Sequence, residues 1–178
     1  MNKKIELDVI IDDDKWLECV DFDAIKVCQE IKDLTFSFVY DETKHEVIEL
    51  ANSINVSVCL SNDEEVHKLN REFRGMDKPT NVLSFANIDD DELWDGIESG
   101  EKDVELGEII LAFETLQREA FEKGIGVYQH FAHLLVHGFL HLLGFDHEDD
   151  KDADVMEGME IDILREFSIE NPYKDDEI

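Results

Sequence analysis

The sequence predicts a single α+β domain spanning 1–178, a small mixed β-sheet packed with about five helices. Three observations predict it. Apolar residues alternate in two short, separated stretches, the pattern of half-buried strands. Segments of helical period, several closed by glycine, lie between and after them. One segment near the C-terminus is apolar nearly all round, which puts a helix in the middle of the core. The 178 residues are enough for one core, and neither a repeat nor a linker divides them.

The elements follow in order. Ile5, Leu7, Val9 and Ile11 alternate with mostly polar neighbours, as in a strand. FDAIKVCQEIKDL, about 22–34, carries apolar residues at helical spacing. In 35–53, TFSFVY fits either a strand or more helix, and HEVIELANS reads as helical. Val56, Val58 and Leu60 form a second strand. Ser61 or Asn62 can cap the next helix, whose first turn holds Asp63, Glu64 and Glu65 and which ends before Gly75. Pro79 opens a turn into the short strand VLSFA. The acidic stretch 87–105 has little periodicity and reads as a mobile surface loop. LGEIILA is a buried strand, and FETLQREAFEKG, 113–124, an amphipathic helix stopped by Gly124. VYQHFAHLLVHGFLHLL, 127–143, is the central helix, ended by Gly144. A last helix, about 152–167, shows Met156, Met159, Ile163 and Phe167 on one face, and the acidic tail, about 170–178, looks frayed.

Composition limits the function classes. Lys and Arg number 16 against 46 Asp and Glu, a net charge of −30. Such a surface is solvated and repels nucleic acid, so any nucleic-acid contact must be local. No apolar run approaches the ~20 residues of a membrane span. The N-terminus has no signal-like apolar stretch, and Cys19, Cys28 and Cys59 read as free thiols, so the expected compartment is the cytosol.

The chemistry lies in HGFLHLLGFDH, 137–147. His137, His141 and His147 stand at the His-x-x-x-His-x-x-Gly-x-x-His spacing by which metzincin-type proteases hold zinc. Those proteases carry glutamate directly after the first histidine as general base; here that position is Gly138. Residues four apart share a helix face, so His137 and His141 can chelate one ion. His133 is the rival third ligand, but it stands eight residues before His141, about 12 Å at ~1.5 Å per residue. With Zn–N bonds of ~2.0–2.1 Å, one ion does not easily serve all three. Gly144 lets the chain turn back and bring in His147. Three histidines leave a fourth zinc position for water, the open type of site that performs hydrolysis. Three imidazoles favour one zinc per chain, although nickel also suits them. His130 and His133 read as packing residues or as partners of a ligand, and Asp146 as either a turn cap or a residue orienting His147.

The same residues resemble the YbeY family of metal-dependent endoribonucleases and rRNA maturation factors. LNREFRGMDKPTNVLSFA, 69–86, is similar to the family's second motif, LGEIILA, 106–112, to its Gly-Asp/Glu-Ile strand, and AHLLVHG, 132–138, to the approach to its metal helix. MEGMEIDIL, 156–164, resembles its closing helix, so the likeness spans about Val56 to Phe167. Phe145 stands where the family often has tyrosine, and 35–53 and 87–105 look longer than usual. The resemblance implies a metal on His137, His141 and His147 and cleavage of single-stranded RNA. It also implies work on the 3′ end of small-subunit ribosomal RNA and in ribosome quality control.

Phosphodiester chemistry is compatible with Gly138. A peptide bond needs a proton delivered to its amine; a phosphodiester asks mainly for neutralisation of a charged phosphoryl transition state, which an arginine fork suits. Arg74, on a loop after a helix, is the candidate phosphate contact, with Arg71, Lys78 and Ser84 as further substrate-binding candidates. Lys68, Arg71, Arg74 and Lys78 form the densest basic stretch of the chain. Two rivals remain. A metallopeptidase would need Glu108 or Asp146 to replace the missing base, and a non-enzymatic ribosome assembly factor would use the metal for stability and the acidic surface for basic partners.

Overall fold

The computed structural model describes residues 3–174. Four strands form one sheet: β1 (Lys4–Ile11), β2 (Ser53–Ser61), β3 (Val82–Ala86) and β4 (Asp103–Ala112), in the order β1-β2-β4-β3. β1, β2 and β4 run parallel; β3 runs antiparallel to β4 and forms one edge. Eight helices accompany them among the described residues, rather than about five: α1 (Lys15–Glu18), α2 (Ala24–Thr43), α3 (Glu46–Leu50), α4 (Asp63–Arg74), α5 (Asp91–Glu98), α6 (Phe113–Lys123), α7 (Val127–Leu142) and α8 (Asp150–Arg165). No helix there is long and apolar enough to cross a membrane.

The sheet has one dry face. Ile54, Val56, Val58 and Leu60 alternate inward on β2 and join Ile109 and Leu111 of β4 in the main core. α7 lies in that core, with Phe131, Leu135, Val136, Phe139 and Leu140 fully buried. The opposite face is covered only locally, where Val66 and Leu69 of α4 pack over Cys59, Leu83 and Ile110. α4 starts as expected, with the Asn62 side chain accepting from the Glu65 N–H at 2.9 Å.

One open alternative is resolved and one expectation is overturned. TFSFVY continues α2, because Phe36 and Val39 extend the buried stripe begun by Cys28 and Ile31. The acidic stretch 87–105 is not a loop: it holds α5 and the start of β4. Ile97 is buried, and Trp94 donates its indole N–H to the Ile88 carbonyl at 2.6 Å. Leu93, Trp94 and Ile97 were enough to anchor a helix whose remaining positions, Gly96 apart, are acidic.

Candidate metal centre

α7 ends in a hydrogen-bond pattern that turns the chain back on itself. The Gly144 N–H donates to the His141 carbonyl (2.9 Å) and the Phe145 N–H to the Leu140 carbonyl (3.0 Å), a Schellman closure. Gly144 makes it possible by taking φ +92°, a conformation costly for any residue with a Cβ. The Asp146 carboxylate then accepts the His147 N–H at 2.6 Å, which is the turn role of the two considered for it. The turn swings the His147 ring to 5.4 Å from His137 and 5.1 Å from His141, between ring centres.

One nitrogen from each of His137, His141 and His147 thus lies within 4.8 Å of the others. The Nε2 atoms of His137 and His141 are 3.0 Å apart. Two donors on one ion at ~2.0–2.1 Å in tetrahedral arrangement stand about 3.3 Å apart, so the donor set fits a shared cation. His133 is not in this group: its Nε2 faces the Tyr173 hydroxyl at 3.1 Å and Glu160 at 3.4 Å.

Electrostatics prepares the rings for the same task. Burial, aided by the neighbouring His137 and His147 rings, lowers the His141 pKa to about 4, so its imidazole is neutral at pH 7 with a lone pair to give. Glu160 lies fully buried on α8 and meets His137 Nδ1 at 2.5 Å. Burial alone would raise its pKa, but hydrogen bonds from His133 and His137 win and hold it down to about 2. An ionised carboxylate only accepts, so His137 donates from Nδ1 and turns its Nε2 towards His141. The Tyr173 hydroxyl donates to the other Glu160 oxygen. The stretch 170–178 is therefore not simply a frayed tail: Tyr173 is packed at the centre, while 175–178 lie outside the described residues. A cleft of about 290 Å³ opens beside the rings, bordered by His137, His147, Met156, Glu157 and Tyr173.

Gly138, between the two helix histidines, faces the sheet. A Cβ there would lie 2.8 Å from Ile109 Cδ1, so the position has no room for a side chain. Ile109 pairs with Ser84 on β3, and the Ser84 carbonyl accepts from Arg74 Nη2 at 3.4 Å. A short path of contacts therefore joins the metal helix to Arg74 across the sheet edge. Arg74 is the last residue of α4 rather than a loop residue, and the left-handed Gly75 follows it. Arg71 stands 4.0 Å from Asp77, Lys78 is exposed between α4 and β3, and Ser84 is half-buried.

Sequence reasoning missed Glu160, Tyr173 and Asn70. The buried Asn70 donates from Nδ2 to the Lys78 carbonyl at 2.8 Å, and its backbone carbonyl accepts the Met76 N–H at 3.2 Å, so the residue shapes the basic turn 75–78. A signal for Glu160 existed: it interrupts the apolar face made by Met156 and Ile163.

Fold and site together define a class: an α+β protein in which a central helix and the turn after it gather three histidines able to hold a metal ion. The profile of the Endoribonuclease YbeY family matches residues 21–168. Endoribonuclease YbeY of Sphingopyxis alaskensis is 51% identical over 122 residues, covering 68% of this chain and 73% of the relative. That of Rhizorhabdus wittichii is 48% identical over 128 residues, covering 71% and 75%. A Thermotoga maritima protein solved in solution shares the fold, with a TM-score of 0.54 over 92% of each chain at 22% identity. The chain belongs to the endoribonuclease YbeY family.

Proposed function

We propose that this protein is a single-strand-specific, metal-dependent endoribonuclease of the cytosol. It acts in 3′-end maturation of small-subunit ribosomal RNA and in ribosome quality control, and it meets the ribosome or its small-subunit precursor as partner. The observation that carries the reading is the gathering of His137, His141 and His147 around a helix position, 138, that admits no protease base. The relatives, named as endoribonucleases, support RNA as the substrate.

One zinc per chain, held by His137, His141 and His147, would supply a Lewis acid and a bound water of pKa near ~7. The chain's own residues do the rest. Glu160 keeps the proton on His137 Nδ1 and so fixes which nitrogen is offered to the ion. Arg74 holds only a 3.4 Å contact to a carbonyl, a weak bond that a phosphate oxygen readily replaces with a charge-assisted pair. Arg71, Lys78 and Ser84 extend this contact along the substrate backbone. A peptidase would need a base where Ile109 leaves no space.

The test pairs wild type with His141→Ala. Metal is counted by elemental analysis and both proteins are incubated with single-stranded ribosomal RNA. The expected result is one zinc per wild-type chain and cleavage, both lost in the variant. Equal RNA degradation by both would overturn the reading.

A further inference from the structure

Phe73 is 66% exposed at the end of α4, and Met76, just past it, is 44% exposed. Exposure alone does not single it out, since Phe121 on α6 is 86% exposed; the setting of the ring does. The ring is not loose. It meets Phe85 of β3 edge-to-face, 5.8 Å between centres and 72° between planes, which fixes it while leaving most of its surface in water.

The surroundings say what such a ring would meet. Lys68, Arg71, Arg74 and Lys78 lie along the same helix end and turn. Glu64, Glu65, Glu72 and Asp77 lie there too. Lys68 is taken by Glu65 at 3.1 Å, and Arg71 stands 4.0 Å from Asp77. Arg74 and Lys78 have no carboxylate partner within 4.0 Å among the described residues. Phe73 therefore adjoins, in sequence, the cation that reaches over the sheet edge to Ser84 and hence towards Ile109 and Gly138 of the metal helix.

The geometry points to the Phe73 ring as a stacking platform for one unpaired base of single-stranded RNA, with Arg74 taking the phosphate beside it. The inference rests on the ribonuclease reading and adds a source of its strand selectivity. Every base has a π-face, so stacking tolerates any sequence, and a base inside a duplex has no free face to offer. A ring and two unpaired cations also give local affinity without requiring the whole surface, at −30, to attract a polyanion.

The test measures binding by fluorescence anisotropy on the protein as purified. The probe is a short 2′-O-methyl oligouridylate, checked intact on a gel after the titration. Phe73→Ala is expected to weaken binding roughly 5- to 150-fold, the range for loss of one base–aromatic stack. Phe73→Tyr should restore wild-type affinity and Phe73→Leu should not, because leucine keeps the apolar bulk and loses the π-face. An abasic ribose-phosphate oligomer should bind wild type and Phe73→Ala equally. The salt slope should stay unchanged in Phe73→Ala and fall by about one in Arg74→Ala. Equal affinity of wild type and Phe73→Ala for the oligouridylate, or full rescue by Phe73→Leu, would overturn the stacking proposal and leave the ribonuclease reading standing. Failure of wild type to bind any single-stranded probe would overturn both.

Discussion

Replacing Gly138 by alanine sets two effects of known size against each other. Alanine in place of glycine inside a helix stabilises by about 1 kcal/mol. Against this, the new Cβ would lie 2.8 Å from Ile109 Cδ1, 3.0 Å from Cγ2 and 3.1 Å from Cγ1. Unstrained carbon contacts begin near ~3.5 Å. Rotation about χ2 relieves the Cδ1 contact only in part, because the side chain is buried. The two γ-carbons yield still less, because they are fixed to Cβ and the χ1 of a β-branched residue is stiff. Ile109 is fully buried, so it has no free space to enter. Overpacking of this kind costs about 1–3 kcal/mol, so the expected net loss is about 1 kcal/mol despite the better helix former. The helix must also shift off the sheet, and His137 and His141 flank the position, so metal affinity falls too. Urea denaturation of wild type, G138A, I109V and the double variant measures the balance. I109V alone should cost about 0.5–1.5 kcal/mol, and removal of Cδ1 should make the double variant more stable than the sum by about 0.5–1 kcal/mol. If G138A proved more stable than wild type by the full helix-propensity gain, with strict additivity to I109V, the close packing of α7 on β4 would be refuted.

Three further outcomes follow from the same geometry. Glu160→Gln should lower metal affinity about 10- to 100-fold while the fold persists, since the ring orienter becomes a neutral amide; chelator competition reads it. Gly144→Ala should cost about 1–2 kcal/mol in thermal unfolding and weaken metal binding, because φ +92° disfavours a Cβ and His147 depends on that turn. Burial holds the His45 pKa below its ordinary 6.5, while its ring donates to the Leu143 carbonyl at 2.7 Å. The unfolded chain then takes up the proton first. This part of stability is complete above pH 6.5 and is lost as pH falls through the lower folded value, so His45→Gln should flatten the acid side of the stability profile.

Much of the centre could be read from eleven residues of sequence, 137–147. A four-residue spacing puts two histidines on one helix face, and a glycine three residues later stops the helix, whatever surrounds it. The strands β1 and β2, the Asn62 cap and the all-apolar α7 were legible for the same reason: period, capping and chain reversal are decided within a few neighbouring residues. What tertiary structure decided involves residues far apart in the chain. Glu160 reaches His137 across 23 positions because α8 packs on α7, and Tyr173 follows it. The closeness of Gly138 to Ile109, and of Arg74 to Ser84, depends on a strand order, β1-β2-β4-β3, that no local pattern announces. The helix inside 87–105 was hidden because its acids dominate the composition, while burial of Trp94 and Ile97 against the body of the protein determined its structure. A local signal states which face of an element is apolar; only the competition among all such faces for burial determines what each one meets.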